Sequence, residues 1–148
     1  MGITMPSWIY DGRIITEMSD MPEGTFGFIY EVTHTPTGRK YIGKKVLYFN
    51  RTLPPLTSQK RKRKIVKESD WKTYFGSHAE IVGLIKEGKQ EEFTKQILCF
   101  VRSKKLLTYY ETKYLFIKEV LEYRNNYIND NVLGKFYRKD FITPDTDD

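Results

Sequence analysis

At 148 residues the chain is long enough to bury one core and too short to carry a second sizeable domain. Its single cysteine, Cys99, excludes an intramolecular disulfide framework, and no apolar run approaches the roughly 18 residues of a helical membrane span. The N-terminal residues lack a basic start followed by an apolar stretch, so the chain reads as intracellular and soluble, in the cytoplasm, with no membrane partner.

Trp8, Ile9 and Tyr10 fit a short strand inside an N-terminal extension, residues 1–23, that ends at the turn formers Pro22-Glu23-Gly24. Phe28 to Thr33 and Lys40 to Val46 are rich in β-branched and aromatic residues, and Thr35-Pro36-Thr37-Gly38 between them has turn chemistry. Two antiparallel strands follow. Alternation groups Phe28, Tyr30 and Val32 on one face of the first, and Tyr41, Gly43 and Lys45 on one face of the second. Sequence does not fix the register, and both tyrosines also suit simple sheet packing.

Leu53-Pro54-Pro55-Leu56 interrupts regular structure, and QKRKRKIVK, Gln59 to Lys67, is either a basic loop or a helix that orders on nucleic acid. Trp71, Tyr74 and Phe75 read as core or helix-entry aromatics. Ser77 as N-cap, Glu80 three residues on, and Gly88 as a stop frame a helix over His78 to Glu87 with Ile81, Leu84 and Ile85 on its apolar face. Glu92 to Val101 reads as a strand. From Ser103 to Arg124, Leu107, Tyr110, Tyr114, Ile117 and Leu121 recur at helical spacing, which puts Glu111 on the edge of the buried stripe beside Leu107, Leu115 and Lys118. Polar turn formers then surround Tyr127 and Ile128.

The net charge of +6 understates the asymmetry of the chain. Val32 to Lys67 holds eleven Lys or Arg and no acid, while everything else sums to -5. A one-signed stretch of that length suits a polyanionic partner, because neutralised phosphates release counterions. The end of the chain, residues 139–148, is an acidic tail.

Phe28-Ile29-Tyr30 and Tyr41-Ile42-Gly43, with Arg51, Glu111 and Asn129 downstream in the right order, resemble the signature of the GIY-YIG nuclease superfamily. Phe28 stands where glycine is usual, at a position that varies in the family. The resemblance, closest to small phage-encoded, homing-endonuclease-like members, implies an α/β (α+β) domain over residues 24–138: a small three-stranded antiparallel sheet flanked by helices, with a basic insertion at 50–69. It implies a divalent-metal-dependent DNA endonuclease, a phosphodiester hydrolase acting alone or as a homodimer. A restriction or repair nuclease of the same superfamily, or a binding protein without cleavage, are the alternatives.

Residue roles follow from the resemblance. Tyr30 would orient or deprotonate the attacking water, with Tyr41 as helper or ligand of a metal-bound water. A phenol of pKa near 10 needs nearby positive charge for the second task, from Lys44, Lys45, an arginine or the metal. Glu111 would hold Mg2+ (or Mn2+), a hard cation that keeps several waters. Arg51 lies ten residues past Tyr41, at the family's usual spacing, but Pro54 and Pro55 interrupt soon after, so Arg61 or Arg63 compete for its role. Lys44, Lys45 and the run Lys60, Arg61, Lys62, Arg63 and Lys64 are the expected DNA contacts. His78 and Asn129 are supporting residues, with Asn131 a competitor for the latter.

Overall fold

A computed structural model describes residues 5–57, 60–123 and 126–141, with Arg51 described by its backbone alone. Gln59, Arg124 and most of the acidic tail fall outside the described residues.

The first two strands, β1 (Trp8–Tyr10) and β2 (Arg13–Ile15), form a hairpin through Asp11-Gly12, both in left-handed conformation at φ 48° and 78°. Two central residues of positive φ match the right-handed twist of the flanking strands, which is why Asp-Gly is favoured there. Strands β3 (Gly27–His34) and β4 (Arg39–Val46) pair antiparallel, and β7 (Phe93–Val101) pairs antiparallel with the other edge of β3. Between them in sequence lie β5 (Tyr48–Leu53) and β6 (Arg63–Glu68), a separate two-stranded ribbon.

The main sheet has five strands in the order β2-β1-β7-β3-β4, because β1 adds to β7 in parallel. This corrects the expected three-stranded antiparallel sheet. The cause is Trp8, which is buried and edge-on to Phe28, so β1 cannot stay in solution as an extension. The basic segment is corrected as well: Arg63 to Glu68 is neither loop nor helix but a strand held by β5.

Helix α1 (Ala79–Lys86) and the chain leading to it cover one face of the sheet, where Trp8, Phe28, Tyr30, Trp71, Phe75 and Ile81 meet. Helix α2 (Lys104–Ile117) covers the other, with Leu107 and Leu115 against Ile29, Ile42 and Val101. Ser103 caps its start by accepting from the Leu106 N–H. The helix stops well before residue 124. Glu119 adopts φ 50°, its N–H bonds the Phe116 carbonyl, and the N–H of fully buried Val120 bonds that of Leu115, a Schellman ending without glycine. A short hairpin, β8 (Asn131–Val132) with β9 (Phe136–Tyr137), closes the described fold. Among the described residues no helix is long and apolar enough to cross a membrane.

Candidate active site

The β3–β4 register sets Tyr30 opposite Gly43 and Val32 opposite Tyr41, so both tyrosines lie on one face, their ring centroids 6.3 Å apart. The Tyr30 phenol passes directly over Gly43, where a Cβ would collide with its hydroxyl. Glycine is required there by close approach rather than by φ. Gly76, at φ 119°, brings its backbone against both tyrosines in a conformation that only glycine adopts readily. Trp8 and Tyr74 complete the walls around Tyr30, which is 1% exposed.

Lys44, one residue along, necessarily points to the opposite face. Its ammonium is 3.7 Å from the Glu111 carboxylate on α2 and also reaches the Thr108 hydroxyl. The site therefore straddles β4, the edge strand: Tyr41 and His78 approach from one side, Lys44 and Glu111 from the other. A cleft of about 320 Å³ joins them, also lined by Ile42, Asn129 and Asp130.

Asn129 explains how this edge stays ordered. Its carboxamide accepts from the Ile42 N–H at 3.1 Å and donates to the Ile42 carbonyl at 2.9 Å. The Lys40 N–H bonds the Asn126 carbonyl, and the Ile128 N–H returns to the Lys40 carbonyl. The segment mimics a further strand along β4, and Asn129 fixes the peptide groups between Tyr41 and Gly43. It acts on the site through the backbone.

His78 caps α1: its Nδ1 accepts from the Glu80 N–H, which places its hydrogen on Nε2, donated to Asp130 Oδ2 at 2.7 Å. Its ring stands 5.8 Å from that of Tyr41. The expected N-cap, Ser77, is displaced by one residue. Asp130 had no sequence signal beyond its place between two asparagines.

The phenols sit in an environment opposite to the one a base needs. Burial holds Tyr30 well above the ordinary phenol value, with Tyr74 and Tyr41 adding to the rise. Burial also raises Tyr41, against a hydrogen bond with Ser77 that lowers it. Lys45 shares their face but is 8% exposed, and its ammonium is paired with Asp70 and lies 3.9 Å from the Tyr74 ring centroid. That pairing holds its ammonium in the free protein, and Lys45 does not line the cleft. Glu111 is raised by burial and lowered in turn by Lys44.

Of the candidate arginines, Arg61 and Arg63 stand apart from the cleft. Arg51 lies in β5, where its backbone pairs with Ile65. Arg61 and Arg63 are exposed on the ribbon, Arg63 donating to the Pro54 carbonyl. Neither lines the cleft. Lys60, Lys62 and Lys64 are likewise exposed.

No group of three or more His, Cys, Asp or Glu that could hold a metal occurs among the described residues. The half-buried Glu111 carboxylate, with Asp130 in the same cleft, still fits magnesium, which takes one or two carboxylates and fills its octahedron with waters and substrate phosphate oxygens. A family model described as "Putative endonuclease segE, GIY-YIG domain" matches residues 8–132. No curated protein and no solved structure matches the chain.

Proposed function

Since the chain belongs to the segE-type GIY-YIG family and is an endonuclease of that type, we propose that it hydrolyses phosphodiester bonds of DNA at the cleft across β4, with a divalent cation held by Glu111. The observation that carries this reading is the meeting of Tyr41 and Glu111 from opposite faces of one edge strand, within a cleft that Lys44 also lines. A phosphate laid along that edge would meet a hydroxyl on one side and a carboxylate with an ammonium on the other.

Burial keeps the phenols protonated, so Tyr41, which lines the cleft, serves as a hydrogen-bond donor that orients the attacking water and the phosphate, while the Tyr30 hydroxyl, buried behind it, acts through Tyr41. Lys44, held near Glu111 in the free protein, would be released to phosphate were that carboxylate to hold a cation. Arg51 or a ribbon arginine stabilises the charge of the pentavalent state, as a planar fork does for phosphate oxygens. When bound, Mg2+ or Mn2+ supplies Lewis-acid polarisation of the phosphate and relief of the leaving oxygen. His78 and Asn129 hold Tyr41 and Ile42 in place. A phage-encoded, homing-type enzyme in a host cytoplasm suits the family, and one active site per chain means either nicking or cutting by two copies together.

Supercoiled plasmid incubated with purified protein, in magnesium or in EDTA, tests the reading. Wild type should nick or linearise in magnesium only, and Glu111→Gln should be inactive. Equal cutting in EDTA, or by Glu111→Gln, would overturn the assignment of Glu111.

A further inference from the structure

The β5–β6 ribbon is an appendage rather than a part of the core. Every residue of β6 is exposed, including Val66 at 66%, and the ribbon belongs to neither apolar cluster apart from its root. That root is firm: Leu47, between β4 and β5, is buried, the Ser69 N–H bonds the Leu47 carbonyl, and the Ser69 hydroxyl donates to the Val46 carbonyl. The ribbon is thus a direct, anchored continuation of the strand that carries Tyr41.

Its register sorts the side chains. Asn50 faces Val66 and Thr52 faces Lys64, so these four share a surface. The other surface carries Phe49, whose ring lies 5.0 Å from the buried Lys45 ammonium, and so turns toward the body at the root. At the root the Asn50 surface also meets the body, where Glu68, opposite Tyr48, accepts from the Trp71 indole, but its outer part, Asn50, Thr52, Lys64 and Val66, is exposed. It holds an amide, a hydroxyl with a methyl, an ammonium and an isopropyl group, the chemistry suited to adenine, thymine methyl and guanine edges.

We propose that this ribbon enters the major groove of duplex DNA and reads base edges with Asn50, Thr52, Lys64 and Val66. The inference rests on the reading of the chain as a DNA endonuclease. Charge selects the partner: Lys60, Arg61, Lys62, Arg63, Lys64 and Lys67 form an exposed cationic run broken by no acid before Glu68. Width selects the groove. Two strands about 4.8 Å apart, with their side chains, fill a groove of about 12 Å as it stands, whereas one of about 6 Å would have to be forced open at a cost in DNA deformation. Reach sets the distance to the cut. Nine residues separate Tyr41 from Asn50, at most ~30 Å at ~3.3 Å per residue, so the bases read lie within about one helical turn of the scissile phosphate.

Partially methylated duplexes of mixed sequence, treated with dimethyl sulfate and separated into bound and free fractions with Glu111→Ala protein, test this without requiring catalysis. Guanine N7 lies in the major groove and adenine N3 in the minor. The bound fraction should be depleted of N7-methylguanine several-fold, and N50A/T52A/K64A should remove that depletion. In parallel, sites cut by wild type should show base preference within about one turn of the cut, flattened by N50A/T52A. No depletion at N7, or depletion at adenine N3 instead, would overturn the ribbon assignment even in a protein that cuts DNA. A wild type that cuts nothing defeats the endonuclease reading alone, since the methylation partition still decides the ribbon. Should the triple variant not fold, the single substitutions N50A and K64A in the Glu111→Ala protein decide, each expected to weaken the N7 depletion, and an undiminished depletion in both would overturn the assignment.

Discussion

Tyr30 and Gly43 stand opposite each other in the β3–β4 register, and the Tyr30 hydroxyl lies where a side chain on residue 43 would begin. The glycine of the second triplet is therefore the complement of the tyrosine of the first. Gly43→Ala should force the phenol out of a close-packed wall, costing about 1–3 kcal/mol as overpacking does. Tyr30→Phe keeps the ring and its contacts, so its melting temperature should stay near wild type while single-turnover cleavage falls by about 10² or more. Comparing the two variants by thermal denaturation and cleavage rate separates packing from chemistry. A Tyr30→Phe protein that cuts at the wild-type rate would remove the hydroxyl from the mechanism.

Glu111 and Lys44 give a pH dependence of defined sign. Burial raises the Glu111 carboxyl above its ordinary value and Lys44 draws it back. A carboxylate must be ionised to hold a cation, so cleavage should fall as pH drops through that raised value, and more magnesium should push the fall to lower pH. Lys44→Met removes what lowers the pKa, and the acid limb of the pH–rate profile should move to higher pH. An unmoved limb in Lys44→Met would show that another group controls it.

The parts of this fold legible in sequence were those set by local chemistry. Tyr30 and Tyr41 lay on strands whose composition and turn defined them, Ser103 and Gly88 marked real helix boundaries, and Glu111 was placed at the stripe's edge by helical spacing alone. Asp11-Gly12 carries a hairpin signal, but its second strand, Arg13 to Ile15, is too short to declare itself by composition. The end of α2 was not legible, since Glu119 takes a left-handed conformation for the sake of burying Val120 with Leu115. Nor was β6: a run of cations reads as solvated chain, and its strand form depends on pairing with β5. Asn129 and Asp130 were obscure for the same reason, because what they bond lies 87 and 52 residues away.

The Asn129 clamp on Ile42 makes a prediction about the backbone. Asn129→Ala leaves a buried N–H and a buried carbonyl without partners, a loss of about 1–3 kcal/mol for each group stranded. Asn129→Asp keeps the acceptor but sets a carboxylate against the Ile42 carbonyl. Hydrogen exchange of the Ile42 amide should accelerate in both variants, with lower cleavage following from the loosened strand. Unchanged protection at Ile42 alongside lost activity would give Asn129 a direct role in the cleft.

Lys95 offers a stability test far from the chemistry. Its side chain is 1% exposed on the core face, its ammonium 4.4 Å from the ring centroids of both Trp8 and Phe75, and donates to the Lys72 carbonyl. Burial lowers its pKa to about 7 from an ordinary 10.5. Between those values the unfolded chain holds a proton that the folded one has released, so stability rises with pH across the window, by up to ~1.4 kcal/mol per pH unit from this group. Below about 7 the folded protein carries the charge in its core at full cost. Lys95→Met should therefore be more stable than wild type at pH 6 to 7, and its advantage should shrink steadily toward pH 10. Urea denaturation of both proteins across that range reads the difference directly, and groups that titrate in both cancel in the comparison. An advantage constant with pH would mean that Lys95 keeps its proton in the folded core, held there by the two aromatic faces against the cost of desolvation.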